Sequence, residues 1–387
     1  MKNLLLRLFF FSVLLLPVLA APAAAERPSF DTSARNAIVI DFQTGAVLLD
    51  KNADQRIPTA SMSKIMTAYT VYTYLRDGKA KLGDLLPVSE RAWRTGLSDN
   101  ESRMFVPLNG RVKIEDLLRG MIVQSGNDAC VVLAEGLAGS QEAFVAKMNE
   151  LAQKMGLTNS HFANVHGLPA PDHYSSPRDL ATLSRHLIQD FPQYYRYESE
   201  KEFTFNGIKQ GNRNPLLYKD LGADGIKTGH TEEAGYGLVG SAVRNGRRVI
   251  FVLSGMQSMK ERGQEGERVL DWAFREFSDY TIAKAGEPID EAPVWMGVAE
   301  KVPVAPQSDA VMTLWPAARK ELKVSAVYDG TVKAPVAKGQ VIGKLVIAAP
   351  DNPPLEVPLV ATQAVGRLGP LGRMAEAAGY LLWGKKR

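Results

Sequence analysis

Ser61 and Lys64 stand three residues apart in "TASMSKIMTAYT", which runs from Thr59 to Thr70 and is mostly apolar. The stretch reads as a buried helix. On a helix, positions i and i+3 share a face, so a hydroxyl and an ammonium point to one place. A serine is a poor nucleophile at neutral pH until a base takes its proton. The five histidines, His161, His166, His173, His186 and His230, lie in no G-x-S-x-G or other Ser-His-Asp context. Lys64 is the alternative base, provided burial and a cationic neighbour lower its pKa. The apolar helix supplies the burial. The cation must come from elsewhere in the chain.

Two more segments carry polar groups of the right kind. "QSGNDA" holds Ser125, Gly126 and Asn127 between two helical patterns. "DGIKTGHT" holds Lys227, Thr228, Gly229 and His230. S-x-x-K alone recurs by chance. S-x-x-K, then S-x-N, then K-T-G is the signature of penicillin-binding proteins and class A β-lactamases. Together with "GSQEAFVAKMN" and "KEFTFNGIKQGNRN", these motifs make the chain resemble the low-molecular-mass penicillin-binding proteins of the penicillin-binding protein 5 type. Those proteins are D-alanyl-D-alanine carboxypeptidases. The resemblance covers nearly the whole mature chain.

The resemblance implies roles, residue by residue. Ser61 is the acylated nucleophile and Lys64 the base that takes its proton. Ser125 relays protons and Asn127 hydrogen-bonds the substrate amide. Lys227 brings the second positive charge and, with Thr228 of the Lys227-Thr228-Gly229 motif, faces the substrate's terminal carboxylate. The backbone N–H groups of Ser61 and His230 form the oxyanion hole. Arg213 in "GNRN" and Arg262 in "KERGQ" match basic positions near the site, where a guanidinium can grip a carboxylate. The implied substrates are peptidoglycan stem peptides ending in D-Ala-D-Ala, and β-lactams are implied covalent inhibitors. No metal or organic cofactor is implied. Gly126 stands where the β-lactamase motif has Asp, and no E-x-x-L-N stretch follows it. Both features weigh against a β-lactamase. A D,D-endopeptidase or β-lactamase of the same fold, and a non-catalytic wall-binding protein, remain as alternatives.

The elements that must position these residues can be read from periodicity. "NAIVIDFQTGAVLLDKNAD" reads as a β-hairpin. Amphipathic helices follow at "IEDLLRGMIVQ", Ala129 to Leu137, "SQEAFVAKMNELAQKMG" and "SPRDLATLSRHLIQD". Two strand-like runs flank "RNGR", where Asn245-Gly246 signals a hairpin. "GERVLDWAFREFSDY" closes the region as a helix. The expected class is α/β (α+β), a penicillin-binding/β-lactamase-like transpeptidase fold. One antiparallel sheet is made from both ends of this region, with helices packed on it. The segment 285–362 has short alternating runs and turn residues and reads as a small all-β domain. Leu322, Val324, Ala326 and Tyr328 are expected on one face of it. The catalytic domain is then 26–284.

The chain's two ends read differently. Lys2 and Arg7, the apolar run from Leu8 to Ala20 and Ala23-Ala24-Ala25 form a signal-peptide pattern over 1–25, which implies export to the periplasm. At the other end, Leu371, Met374, Ala375, Ala378, Leu381 and Leu382 make one helical stripe. Tyr380 and Trp383 flank it, and Lys385, Lys386 and Arg387 end it. This 363–387 segment is expected to lie on the membrane surface as an amphipathic anchor. Its helical stripe, about 14 residues after Pro370, is too short to span a bilayer. The chain has 46 Lys and Arg against 42 Asp and Glu, a net +4. Removing Lys2 and Arg7 leaves 44 against 42, or +2, which does not suggest a nucleic-acid partner. Cys130 is the single cysteine, so there is no internal disulfide, and it reads as a buried small apolar residue. His166, Asp172 and His173 match no zinc spacing, and a structural role for these histidines is favoured. "WRTGLSDNESRMFV" reads as a surface loop, one that can shape a cleft.

Overall fold

The computed structural model describes residues 26–95, 97, 101–328 and 330–383. The signal-peptide pattern at 1–25 and the terminal basic cluster therefore lie outside the described residues.

The hairpin forms as expected: β1 (Asn36–Asp41) pairs antiparallel with β2 (Val47–Lys51). A 3-10 turn at Ala60–Ser63 then leads into α1 (Lys64–Arg76). Nearly every α1 side chain is buried, which fits a helix that is apolar all round. Helices α2 (Ile114–Val123), α3 (Asn127–Ala138), α4 (Gln141–Lys154) and α5 (Pro177–Asp190) follow. Ser140 and Ser176 cap α4 and α5 by accepting the N–H groups of Ala143 and Asp179. The chain returns to strands at β3 (Ala223–Thr231), β4 (Gly235–Arg244) and β5 (Arg247–Met256). Asn245 and Gly246 both take positive φ, +52° and +79°, between β4 and β5, as a tight type I′ turn requires. Helix α6 (Met259–Glu276) then packs on β4 and β5. It starts well before "GERVL", and "SDY" falls instead in a strand, Ser278–Ala283.

The sheet runs β2-β1-β5-β4-β3, antiparallel throughout. The chain's early hairpin and its late strands thus form one sheet, as the order of the elements predicts. The sheet is buried on both faces. Ile38, Ile40, Val239, Ile250 and Val252 join the core under α1 to α5. Val39, Leu238, Phe251 and Leu253 join a second core that includes Trp272 of α6.

That second core continues into the C-terminal region. Ser278–Ala283 pairs with Ala310–Leu314. Phe277 packs edge-on against Trp315, with ring centroids 6.2 Å apart. A six-stranded sheet is built from β6 (Asp290–Trp295), β7 (Lys301–Pro306), β8 (Lys323–Tyr328), β9 (Val332–Lys333), β10 (Val341–Ala348) and β11 (Leu355–Ala361). Its order is β8-β10-β11-β7-β6-β9. Leu322, Ala326 and Tyr328 pack against the core. Val324 does not and is 52% exposed, and its neighbours Lys323 and Ser325 at the start of β8 are exposed too.

Helix α7 (Pro370–Trp383) ends the described chain. Its apolar stripe does not dock on the protein. Leu371 is 83% exposed, Leu381 82%, and Met374, Tyr380 and Leu382 are also exposed. Among the described residues, no single helix is long and apolar enough to cross a membrane.

Candidate active site

The site lies where the 3-10 turn Ala60–Ser63 meets β3, the edge strand of the main sheet. Two glycines make that meeting possible. A Cβ on Gly229 of β3 would sit 2.9 Å from the Thr59 carbonyl oxygen. A Cβ on Gly237, its partner on β4, would sit 2.7 Å from Met62 Cε. Ala60, just before the serine, has φ +47°, a left-handed conformation that costs a non-glycine residue about 1–2 kcal/mol. Tertiary contacts hold it there. Its carbonyl presses on Gly167, whose Cβ position lies 1.9 Å from that oxygen.

Ser61 is on the 3-10 turn and Lys64 is the first residue of α1. This differs from a single α-helix, but it brings the pair closer, since i and i+3 eclipse on a 3-10 turn. Lys64 Nζ donates to Ser61 Oγ at 2.9 Å, to Asn127 Oδ1 at 2.8 Å and to the His166 carbonyl at 2.6 Å. The ammonium thus has three acceptors while its residue is only 2% exposed. Burial, with the charge of Arg213 adding to it, pushes its pKa down to about 8.

Ser125 sits in the turn between α2 and α3 with φ +68°. Its hydroxyl oxygen is buried and has no hydrogen-bond partner among the described residues. A buried hydroxyl without a partner is costly, and such strain clusters at functional sites. Asn127 opens α3, and its N–H donates to the Ser102 carbonyl. Asp128 was not singled out by sequence, yet it organises this wall. Its carboxylate accepts the N–H groups of Met104, Phe105 and Val106 at 2.9, 2.9 and 3.2 Å. The segment read as a surface loop is thereby tied to the S-x-N turn, with Met104 fully buried. An acidic residue in the first turn of a helix was the available signal, but a long-range clamp cannot be told from a capping charge by sequence.

Lys227 and Thr228 are buried on β3. Burial holds Lys227 well below the ordinary lysine range, and Lys64 and Arg213 repel its charge further. Glu198, on the 3-10 turn Arg196–Ser199, is the compensating carboxyl. Burial pushes it up to about 8, against the pull of Lys227. Sequence reasoning missed Glu198 because nothing local marks it. Arg213 lowers the pKa of Lys64, and Lys64 and Lys227 repel each other. The Arg213 head group is anchored on the Ser102 hydroxyl. Arg262 is buried on α6, donates to the Arg213 carbonyl at 3.3 Å and lies 5.6 Å above the Tyr236 ring. It therefore props Arg213 from behind. His230 is exposed and stacks on Tyr236 at 3.9 Å. Because β3 is an edge strand, alternate N–H groups along it have no strand partner.

The histidines outside the motifs are held by local bonds. His166 Nδ1 accepts the Leu168 N–H at 3.2 Å, and His173 bonds Ser63 and Ala163. Cys130 is fully buried, with its thiol on the Gly126 carbonyl.

Such a sheet, with a serine–lysine pair at its edge strand and a separate β-rich region behind it, defines the class of penicillin-binding serine peptidases. The solved structure of penicillin binding protein 5 from Haemophilus influenzae is similar at a TM-score of 0.80 and 40% identity, covering 88% of this chain and 99% of that one. A family model described as D-alanyl-D-alanine carboxypeptidase matches residues 21–258, and one described as the C-terminal domain of penicillin-binding protein 5 matches 277–367. The chain is 40% identical to D-alanyl-D-alanine carboxypeptidase DacA of Haemophilus influenzae, over 88% of each protein. It is 41% identical to DacC of Escherichia coli, over 92% of this chain and 89% of that one. The chain belongs to the D-alanyl-D-alanine carboxypeptidase family.

Proposed function

We propose that the protein removes the terminal D-Ala from peptidoglycan pentapeptide stems through an acyl-enzyme on Ser61. The observation that carries this reading is the 2.9 Å contact between Lys64 Nζ and Ser61 Oγ beside a strand edge with cations at one end. A peptide laid along β3 puts its terminal carboxylate at Lys227, Thr228 and Arg213. Arg262 supports Arg213. The preceding stem residues then run past Gly229 towards Thr231. There a cavity of about 430 Å³ opens, lined by Arg56, Thr59, Ala60, Tyr174, Thr231 and Glu233 among others.

The proton steps follow from the charges. An arriving carboxylate favours the charged form of Lys227, and that charge favours loss of one proton from the Lys64 ammonium. Neutral Lys64 takes the Ser61 proton as Oγ attacks the penultimate D-Ala carbonyl. The N–H groups of Ser61 and His230 receive the developing oxyanion, an interaction worth about 2.7–4 kcal/mol of barrier where such donors are pre-positioned. Ser125 passes a proton to the leaving amine, and D-Ala departs. Asn127 holds the substrate amide and the lysine together. Water then hydrolyses the ester. A β-lactam presents a strained amide to the same serine and remains attached.

Mass spectrometry after penicillin treatment tests the reading. One adduct is expected, on the tryptic peptide containing Ser61, and Ser61→Ala must abolish it. Release of D-Ala from a pentapeptide is expected to exceed both cleavage of cross-linked dimers and nitrocefin turnover. The opposite order supports a D,D-endopeptidase or a β-lactamase. Absence of any adduct supports a non-catalytic wall-binding protein.

The same reading places the mature enzyme on the periplasmic face of the inner membrane. Export through residues 1–25 leaves a catalytic domain at 26–284, a β-rich domain at 285–362 and an anchor at 363–387. The undocked apolar stripe of α7 supports the anchor. Deleting 363–387 is expected to release the mature protein from membranes, and unchanged sedimentation with vesicles counts against it.

A further inference from the structure

The loop 161–174 carries a buried hydrogen-bond chain whose proton positions can all be assigned. Ala163 N–H donates to His173 Nδ1 at 3.1 Å. Nδ1 is therefore an acceptor, and a neutral ring must carry its proton on Nε2. Nε2 lies 2.6 Å from Ser63 Oγ and so donates to it. Ser63 has one proton, and the Ala60 carbonyl accepts it at 3.0 Å. The Thr59 hydroxyl bonds the same Ser63 oxygen. Thr59, Ser63 and His173 are all buried, so solvent does not compete for these bonds. Burial also pushes the His173 pKa down to about 4, which keeps the ring neutral at ordinary pH.

The chain ends on Ala60, the left-handed residue that precedes Ser61. Without a bond to the Ala60 carbonyl, that conformation has less to hold it. The loop that supplies His173 also supplies the His166 carbonyl that takes a Lys64 proton and the Gly167 backbone pressed against Ala60. We propose that His173 is a positioning residue for the acyl transfer: through Ser63 it locks the Ala60 carbonyl, and so sets the approach of Ser61 to the substrate and its register with Lys64. It touches no reacting atom. His173 also lines the cavity into which the stem residues run, whereas Ser63 does not, so Ser63 separates an effect on the Ala60 carbonyl from an effect on the grip of the substrate.

The inference rests on Ser61 as the nucleophile, and wild-type labelling at Ser61 tests that premise separately. Full-length His173→Leu, His173→Gln and Ser63→Ala are compared for acylation by fluorescent penicillin, for kcat and KM on a D-Ala-D-Ala peptide, and for Tm, all per folded molecule. His173→Leu is expected to lower acylation and kcat by about 10-fold or more, since small misplacements of reacting groups cost that much, and Ser63→Ala, whose side chain does not line the stem-peptide cavity, is expected to keep KM within about 2-fold of wild type. His173→Gln offers an acceptor for Ala163 and a donor for Ser63, and is expected to recover most of the rate. Ser63→Ala breaks the same chain without touching the ring and is expected to match His173→Leu, so it decides the matter if His173→Leu does not fold. Wild-type acylation in either chain-breaking variant, or a His173→Gln as slow as His173→Leu, overturns the proposal even while Ser61 still labels.

Discussion

Lys64 Nζ lies 2.9 Å from Ser61 Oγ although the two residues belong to different kinds of helix, a 3-10 turn and the first turn of α1. The tighter turn brings the serine over the lysine, and the buried start of α1 desolvates the amine.

An arginine at position 64 keeps the charge but cannot give up a proton. Lys64→Arg is therefore expected to fall at least about 100-fold in acylation, the lower range for loss of a general base. Stopped-flow acylation by a chromogenic β-lactam measures it. A variant that acylates at the wild-type rate removes Lys64 as the base.

The pH profile follows from the same amine. With a pKa near 8, about a tenth of Lys64 is neutral at pH 7 in the free enzyme, and kcat/KM rises as pH climbs through 8. Arg213 lowers that pKa. Arg213→Gln is expected to move the rising limb to higher pH and to raise KM. A limb that stays in place shows that Arg213 does not act on the lysine.

Stability should fail on the acid side because of two imidazoles. Burial, and then the charge of Lys64, push His166 down to about 3; burial, and then His161, push His173 down to about 4. Both folded values lie below the unfolded value of about 6.5. Between those limits the unfolded chain binds more protons, so this stability is complete above about 6.5 and is lost as pH falls towards 4 and 3. The slope is at most about 1.4 kcal/mol per pH unit for each ring. Thermal melts from pH 7 to 4 should show Tm falling, and His173→Gln should flatten the fall. An identical slope in that variant assigns the loss elsewhere.

Gly229 is where β3 and the nucleophile turn touch. A Cβ there meets the Thr59 carbonyl oxygen at 2.9 Å and Met62 Cγ at 3.1 Å. Backbone cannot swing aside as a side chain can. Gly229→Ala is expected to cost about 1–3 kcal/mol of stability through overpacking and to slow acylation further by parting Ser61 from the strand edge. Urea melts and penicillin labelling report the two effects. A variant that keeps both wild-type stability and wild-type acylation contradicts the close approach.

Much of the scaffold was legible because it is local. Ser140 and Ser176 cap helices within three residues of themselves. Asn245-Gly246 makes its turn alone. The Ser61–Lys64 spacing places two groups together whichever helix type forms. What was not legible depends on partners far along the chain. Asp128 bonds N–H groups more than twenty residues upstream. Ser63 reaches His173 across 110 positions. Arg213 joins Lys227 as a cation acting on Lys64, and the carboxyl acting on Lys227 is Glu198. Val324 fits the strand alternation but is exposed, because alternation does not reveal where along a strand the covering core begins.

Order of elements, the three motifs and the two dissimilar ends of the chain are written in residue types at short spacing, where bond geometry and hydrophobic period leave few choices. Which groups share a buried pocket, which cation tunes the base and what holds Ala60 in a left-handed turn were decided by folding. Burial and through-space charge depend on distance in the packed molecule, and distance along the chain does not determine it.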